Sequence, residues 1–143
     1  MDLKSLETDV SARRCFLLHP KTGEMLNVGD DKKRHMWISV KSTQSLEYRK
    51  AMFSNRRAMA AKVRDEMAGG EDLKDLQAED LFAQGETLSR QALIDICEDW
   101  CVYWNGEEPE FSKEKLEEFF DSLPFFQTQV QDFCEDFENF TTG

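Results

Sequence analysis

The chain is 143 residues long with a formal net charge of −11, 33% charged and 40% hydrophobic residues, which suits one soluble domain with a core of its own. The charge is segregated: residues 1–67 hold 14 Lys and Arg against 9 Asp and Glu, and residues 68–143 hold 4 against 20, so the second half repels phosphate and nucleic acid is not expected as its partner. No apolar run approaches the roughly 20 residues needed to span a bilayer, and residues 1–7 lack the apolar segment of a signal peptide, so a cytosolic protein with no membrane partner is expected.

Residues 1–11 are polar and read as loose. From Arg13 to Val40 the pattern is β. Residues 13–19 form a candidate strand ended by Pro20, a turn follows at 21–24, and residues 25–28 return as a second strand. Residues 29–34 read as a charged loop. A third strand is expected over 35–40, where Met36, Ile38 and Val40 alternate with Trp37 and Ser39.

Several N-cap residues lie at 42–45, and a long helix is expected from about Leu46 to Met67, ended by Gly69 and Gly70. Tyr48, Met52, Met59 and Val63 fall on one arc of it. Lys50, Arg57 and Arg64 recur every seven residues on another arc, joined by Arg49 and Arg56. That basic strip reads either as a solvated face or as a docking strip for an acidic surface. Residues 71–82 are weakly helical and suit a connector, and Gly85 marks a further break. Thr87 or Ser89 can then cap a helix to about Trp104, with Leu93, Ile96, Cys97, Trp100 and Trp104 on its apolar face. The two tryptophans read as core anchors.

The stretch from Trp104 to the end is the most legible. Asn105-Gly106 is a turn dipeptide, since both residue types tolerate positive φ. Pro109 holds Glu108 extended. Ser112 is placed to cap a helix carrying Leu116, Phe119, Phe120 and Leu123, and Pro124 breaks that helix or opens the next. Beyond it Phe126, Val130, Phe133, Phe137 and Phe140 follow steps of 4, 3, 4 and 3, a narrow apolar stripe of coiled-coil type. Either this stripe packs as core, or part of it faces another subunit or a client. Phe137 and Phe140 are nearest the end of the chain, where least of the chain's own surface is expected to cover them.

Nothing in the chain has the spacing of catalytic chemistry. Gly69-Gly70 lacks the strand, lysine and hydroxyl of a phosphate loop, and the acidic clusters lack a calcium loop's alternating ligands and central glycine. His19 and His35 stand apart from any nucleophile pattern. Cys97 and Cys101, four apart on the expected helix, lack the spacer and second ligand pair of a zinc site, so Cys15, Cys97, Cys101 and Cys134 read as free thiols. Neither an enzyme nor a bound metal or cofactor is expected.

Two segments carry a resemblance. Residues 19–26 lead into the strand at 37–40 and the serine-bearing helix start at 42–49. Residues 104–112 lead into a leucine-rich helix, then residues 129–133 and Asn139-Phe140. In order and spacing the chain resembles the tail assembly chaperones of long-tailed bacteriophages, over roughly half its length. The connector at 68–86 and the acidity of the second half depart from that pattern. The resemblance implies a protein that coats the long helical tape-measure protein and keeps it soluble while tail tubes polymerise around it. It further implies residence in the host cytoplasm, absence from the virion, possible contact with tail tube protein, and often a second, frameshifted and C-terminally extended product.

The expected fold is α+β, with a small N-terminal antiparallel β-sheet followed by a mainly helical C-terminal part in a single domain, 1–143. Its parts are a sheet region at 13–40, a long basic helix at 43–67, a connector at 68–86 and an acidic helical region at 87–140. Client binding or self-association is expected through Phe126, Val130, Phe133, Phe137 and Phe140 and through Lys50, Arg57 and Arg64. Two other classes compete: an acidic mimic of DNA that occupies a nucleic-acid-binding protein, and a structural head–tail joining protein.

Overall fold

The computed structural model describes residues 3–6, 11–68 and 78–141. The main sheet forms where apolar and polar residues alternate. In β1 (Arg13–Phe16) Cys15 is buried, and in β4 (Trp37–Val40) Ile38 and Val40 are, while Arg14, Phe16, Trp37 and Ser39 take the other face. The two strands run antiparallel, Cys15 opposite Ile38 and Phe16 opposite Trp37. On the outer face the Arg14 guanidinium lies 4.1 Å from the centre of the Trp37 ring, covering an aromatic that the core leaves half-exposed.

Past Phe16 the chain doubles back in a narrow hairpin, bridged at Leu18 and Met25, with the Leu26 amide donating to the Leu17 carbonyl at 3.0 Å and the His19 amide to the Glu24 carbonyl at 2.8 Å. Its turn is closed by His19, whose Nδ1 accepts from the Lys21 and Thr22 amides at 3.1 and 3.3 Å. The next strands are β2 (Asn27–Val28) and β3 (Asp31–His35), paired with each other across Gly29. The expected charged loop at 29–34 is therefore largely strand. Asp31 to Arg34 are all exposed, so no alternation of burial marked it in the sequence.

Ser42 and Ser45 are buried and order the start of α1 (Leu46–Ala68): Ser42 Oγ accepts from the Gln44 amide at 3.0 Å and Ser45 Oγ from Tyr48 at 3.2 Å. α1 packs along α2 (Ala78–Ile96), whose last turns bury Ala92, Leu93, Ile94 and Ile96. Here the structure corrects the sequence reading twice. Residues 78–86 of the expected connector are helix, and Gly85 lies inside it without a break; residues 69–77 lie outside the described set. The helix expected to reach Trp104 stops at Ile96, and Cys97–Cys101 is a strand, β5.

β5 completes the sheet in the order β1-β4-β5, with Ile38 opposite Trp100 and Ser39 opposite Asp99. A register shift between Ser39 and Val40 sets Val40 against Cys97. The reason for the departure is the open edge of β4: pairing there satisfies the backbone of both strands and buries Cys97 and Trp100 together, which outweighs the helical spacing of the apolar residues. The sheet thus takes its third strand from the acidic half.

After the turn at Asn105 (φ 57°) and Gly106 (φ 76°), Ser112 caps α3 (Lys113–Ser122), its hydroxyl accepting from the Lys115 amide at 3.1 Å. α3 buries Leu116, Phe119 and Phe120. Pro124 opens α4 (Pro124–Glu135), which buries Phe126, Val130 and Cys134. Phe119 is the centre of the core: Trp100 and Trp104 meet it edge-on at 5.5 Å and Phe126 stacks on it at 5.7 Å. Trp100 brings its polar atom with it, Nε1 donating to the Pro109 carbonyl at 2.9 Å. The architecture is α+β, and among the described residues no helix is long and apolar enough to cross a membrane.

Candidate functional site

The apolar stripe that the sequence offered as a partner surface is divided by the end of α4. The helix stops at Glu135, and Phe137–Phe140 form a single 3-10 turn whose start is capped by Asp136, accepting from the Glu138 amide at 3.1 Å. That turn carries the chain back over its own core. Phe140 is 0% exposed and meets the Phe133 ring edge-on at 5.6 Å. Asn139 fixes the turn by donating from Nδ2 to the Phe133 carbonyl at 3.0 Å. Phe126 and Val130 are core as well, and Phe133 is half-buried against it.

Of the five stripe residues, Phe137 alone faces outward, 47% exposed. The expectation that nearness to the end of the chain leaves Phe140 uncovered is corrected: the 3-10 turn supplies the cover. A neighbouring residue outside the stripe, Phe125, is 44% exposed on the first turn of α4. Its even spacing with Gln129 and Phe133 had not marked it out, because a residue beside a buried Phe126 belongs to neither expected face.

The basic strip lies in solvent, as either reading of it requires. Lys50, Arg57 and Arg64 are all exposed along α1, and Arg49 and Arg56 are exposed beside them. Tyr48, Ala51 and Met52 turn inward, half-buried; the side chains of Met59 and Val63 lie outside the described set. The strip also holds apolar residues that sequence reading missed. Leu46 is 55% and Phe53 63% exposed, and the Arg57 guanidinium lies 5.9 Å from the Phe53 ring centre.

Between α1, α2 and α4 runs an open groove of about 950 Å³, lined among others by Tyr48, Glu86, Arg90, Gln131, Asp132 and Glu135. Arg90, one of its lining residues, is tied down by contacts with α3. Its Nη1 donates to Asp121 Oδ1 at 2.6 Å and its Nη2 to the Glu117 carbonyl at 2.7 Å, tying α2 to α3, while Nε is buried without a partner. The same contact holds the Asp121 carboxyl below the usual carboxylate range. The Tyr48 phenol is pushed up, chiefly by burial, against an opposing bond with Gln131.

Three of the thiols are packing groups that burial keeps protonated. Cys15 and Cys134 are pushed up to about 12, and Cys97 is pushed up further still, in each case foremost by burial. Cys101 is half-buried, on the outer face of β5, near Arg34, which also forms an ion pair with Glu108. Among the described residues no group of three or more His, Cys, Asp and Glu is placed to hold a metal ion. Compared with models of known protein families, with curated proteins and with solved structures, the chain has no match.

Proposed function

We propose that this protein is a tail assembly chaperone of a long-tailed bacteriophage, holding the tape-measure protein soluble in the host cytoplasm until tail tube subunits displace it. The resemblance over residues 19–49 and 104–140 supports the reading. The observation that carries it in the fold is the pair Phe125 and Phe137. They stay half-exposed, Phe125 on the first turn of α4 and Phe137 in the 3-10 turn beyond its end, while Phe126, Phe133 and Phe140 between and beside them pack in or against the core. Large apolar side chains set in an acidic surface suit a client that is itself a long helix with apolar stripes. The surrounding carboxylates keep the coated complex dispersed by repulsion.

A 16.7 kDa subunit covers only a short part of such a client, whose helix rises ~1.5 Å per residue, so coating takes many copies. Release is then the loss of many modest contacts in turn, without one tight pocket to unlock. Co-expression tests this directly. The tape-measure protein is expected to move from the insoluble to the soluble fraction in a complex with several copies of this chain. The double variant F125S/F137S is expected to lose most of that effect while keeping a native circular dichroism spectrum. A tape measure equally insoluble with and without this chain refutes the reading; this chain at fixed stoichiometry in finished virions favours a head–tail joining protein instead.

A further inference from the structure

The outward face of α1 carries a seam: Leu46, Lys50, Phe53, Arg57, Ala60 and Arg64, at steps of 4, 3, 4, 3 and 4, all six exposed. That is the spacing with which one helix meets another along its length, here with apolar and basic residues interleaved. A purely solvated helix face has no reason to hold Leu46 and Phe53 on the same line as its cations. The matching surface is the groove between α2 and α4, where Glu86, Asp132 and Glu135 supply three carboxylates and, among the described residues, the only cation lining it, Arg90, is already held by Asp121.

Seam and groove cannot meet within one molecule. Tyr48, on the inward face of α1, lines the groove of its own chain, so the outward face of the same helix points away from it. We propose that the α1 seam of one copy seats in the α2–α4 groove of a second copy, Lys50 and Arg57 against Asp132 and Glu135, with Phe53 between them. Along their helices Lys50 and Arg57 stand two turns apart, about 10 Å, and Asp132 and Glu135 one turn apart, about 5 Å, a difference that the long lysine and arginine side chains bridge. Because each copy offers one seam and one groove, the contact is heterologous and propagates into a ring or an open string of subunits. The assignment stands independently of what client, if any, the string carries.

One helix in a groove is a small interface, so association is expected to be reversible and, resting on exposed charges, salt-sensitive. The test is sedimentation velocity of the full chain over a concentration series at 50 and 500 mM salt. Self-association is expected at low salt, weakened by about tenfold at high salt. The variants K50E/R57E and D132K/E135K, each with a native circular dichroism spectrum, are expected to sediment as monomers. Mixed in equal amounts they are expected to associate again, since each seam now faces a groove of opposite sign. A monomeric wild-type chain across the series, variants that associate like wild type, or a mixture that stays monomeric overturns the proposal. Monomers that assemble only when tape-measure protein is added overturn it too, and leave the chaperone reading in place.

Discussion

Replacing Phe140 by Ala is expected to cost about 3 kcal/mol of folding stability, while the same change at Phe137 costs less than about 1 kcal/mol. Phe140 is fully buried, so its removal forfeits the transfer of a phenyl ring from water, about 2 kcal/mol, and leaves a cavity beside Phe133 whose edge-on partner is gone. The figure sits at the low end of the range for core Phe→Ala because a short 3-10 turn can settle partly into the gap. For a chain of this size each kcal/mol moves the melting temperature by roughly 4 °C, so Phe140→Ala should melt about 12 °C below wild type and Phe137→Ala within about 4 °C. Urea denaturation followed by circular dichroism at 222 nm gives both free energies, and an unchanged denaturant slope shows that the two variants unfold in the same way. Equal losses at the two positions, or a larger loss at Phe137, would refute the assignment of Phe140 to the core and Phe137 to the surface.

Ser112→Ala removes the hydroxyl that accepts the Lys115 amide and should destabilise the fold by about 1 kcal/mol in the same assay, with Ser112→Asp close to wild type. Of the four thiols, only Cys101 should react rapidly with a thiol reagent at pH 8 in the native state, because Cys15, Cys97 and Cys134 are buried and held protonated. The same shifts predict alkaline lability. An unfolded chain releases these protons near its ordinary thiol pKa of about 8.5, whereas folded Cys15 and Cys134 keep theirs to about 12. The stability this contributes is whole below pH 8.5 and is lost as the pH climbs towards 12; midpoint denaturant concentrations that do not fall over that span would contradict it.

What could be read from the sequence was whatever rests on local rules. The Ser112 cap, the turn at Asn105-Gly106 and the helix start at Pro124 each need only a few neighbouring residues, and each stands where expected. The alternation through Ile38 and Val40 likewise located β4. The misreadings share a different cause. Leu93, Ile96, Cys97 and Trp100 satisfy a helical period as well as they satisfy helix followed by strand, and only the open edge of β4, far back in the chain, decides between them. β3 carries no burial pattern because its charged side chains all face solvent. Gly85 weakens a helix locally, but α1 packed alongside supplies what propensity lacks. On the outward face of α1 the basic strip was legible from its seven-residue repeat. Leu46 and Phe53 were not, because an apolar residue on a helix is read as core until the helix is seen to be packed on its other side.

The placement of β5 has a consequence for how the protein is made. β4 is the central strand, yet its second neighbour is synthesised only after everything from Lys41 to Ile96, the whole of α1 and α2 included. During that interval a nascent chain can form the β1–β4 pair but carries one bare strand edge with Ile38 and Val40 uncovered by Trp100 and Cys97. Such an edge is a template for pairing with another chain, and its closure by a distant segment is slow relative to the local turns and helices. Translation that stalls in the middle of this chain therefore leaves that edge bare, and a fragment stopping short of Cys97 should aggregate through β4.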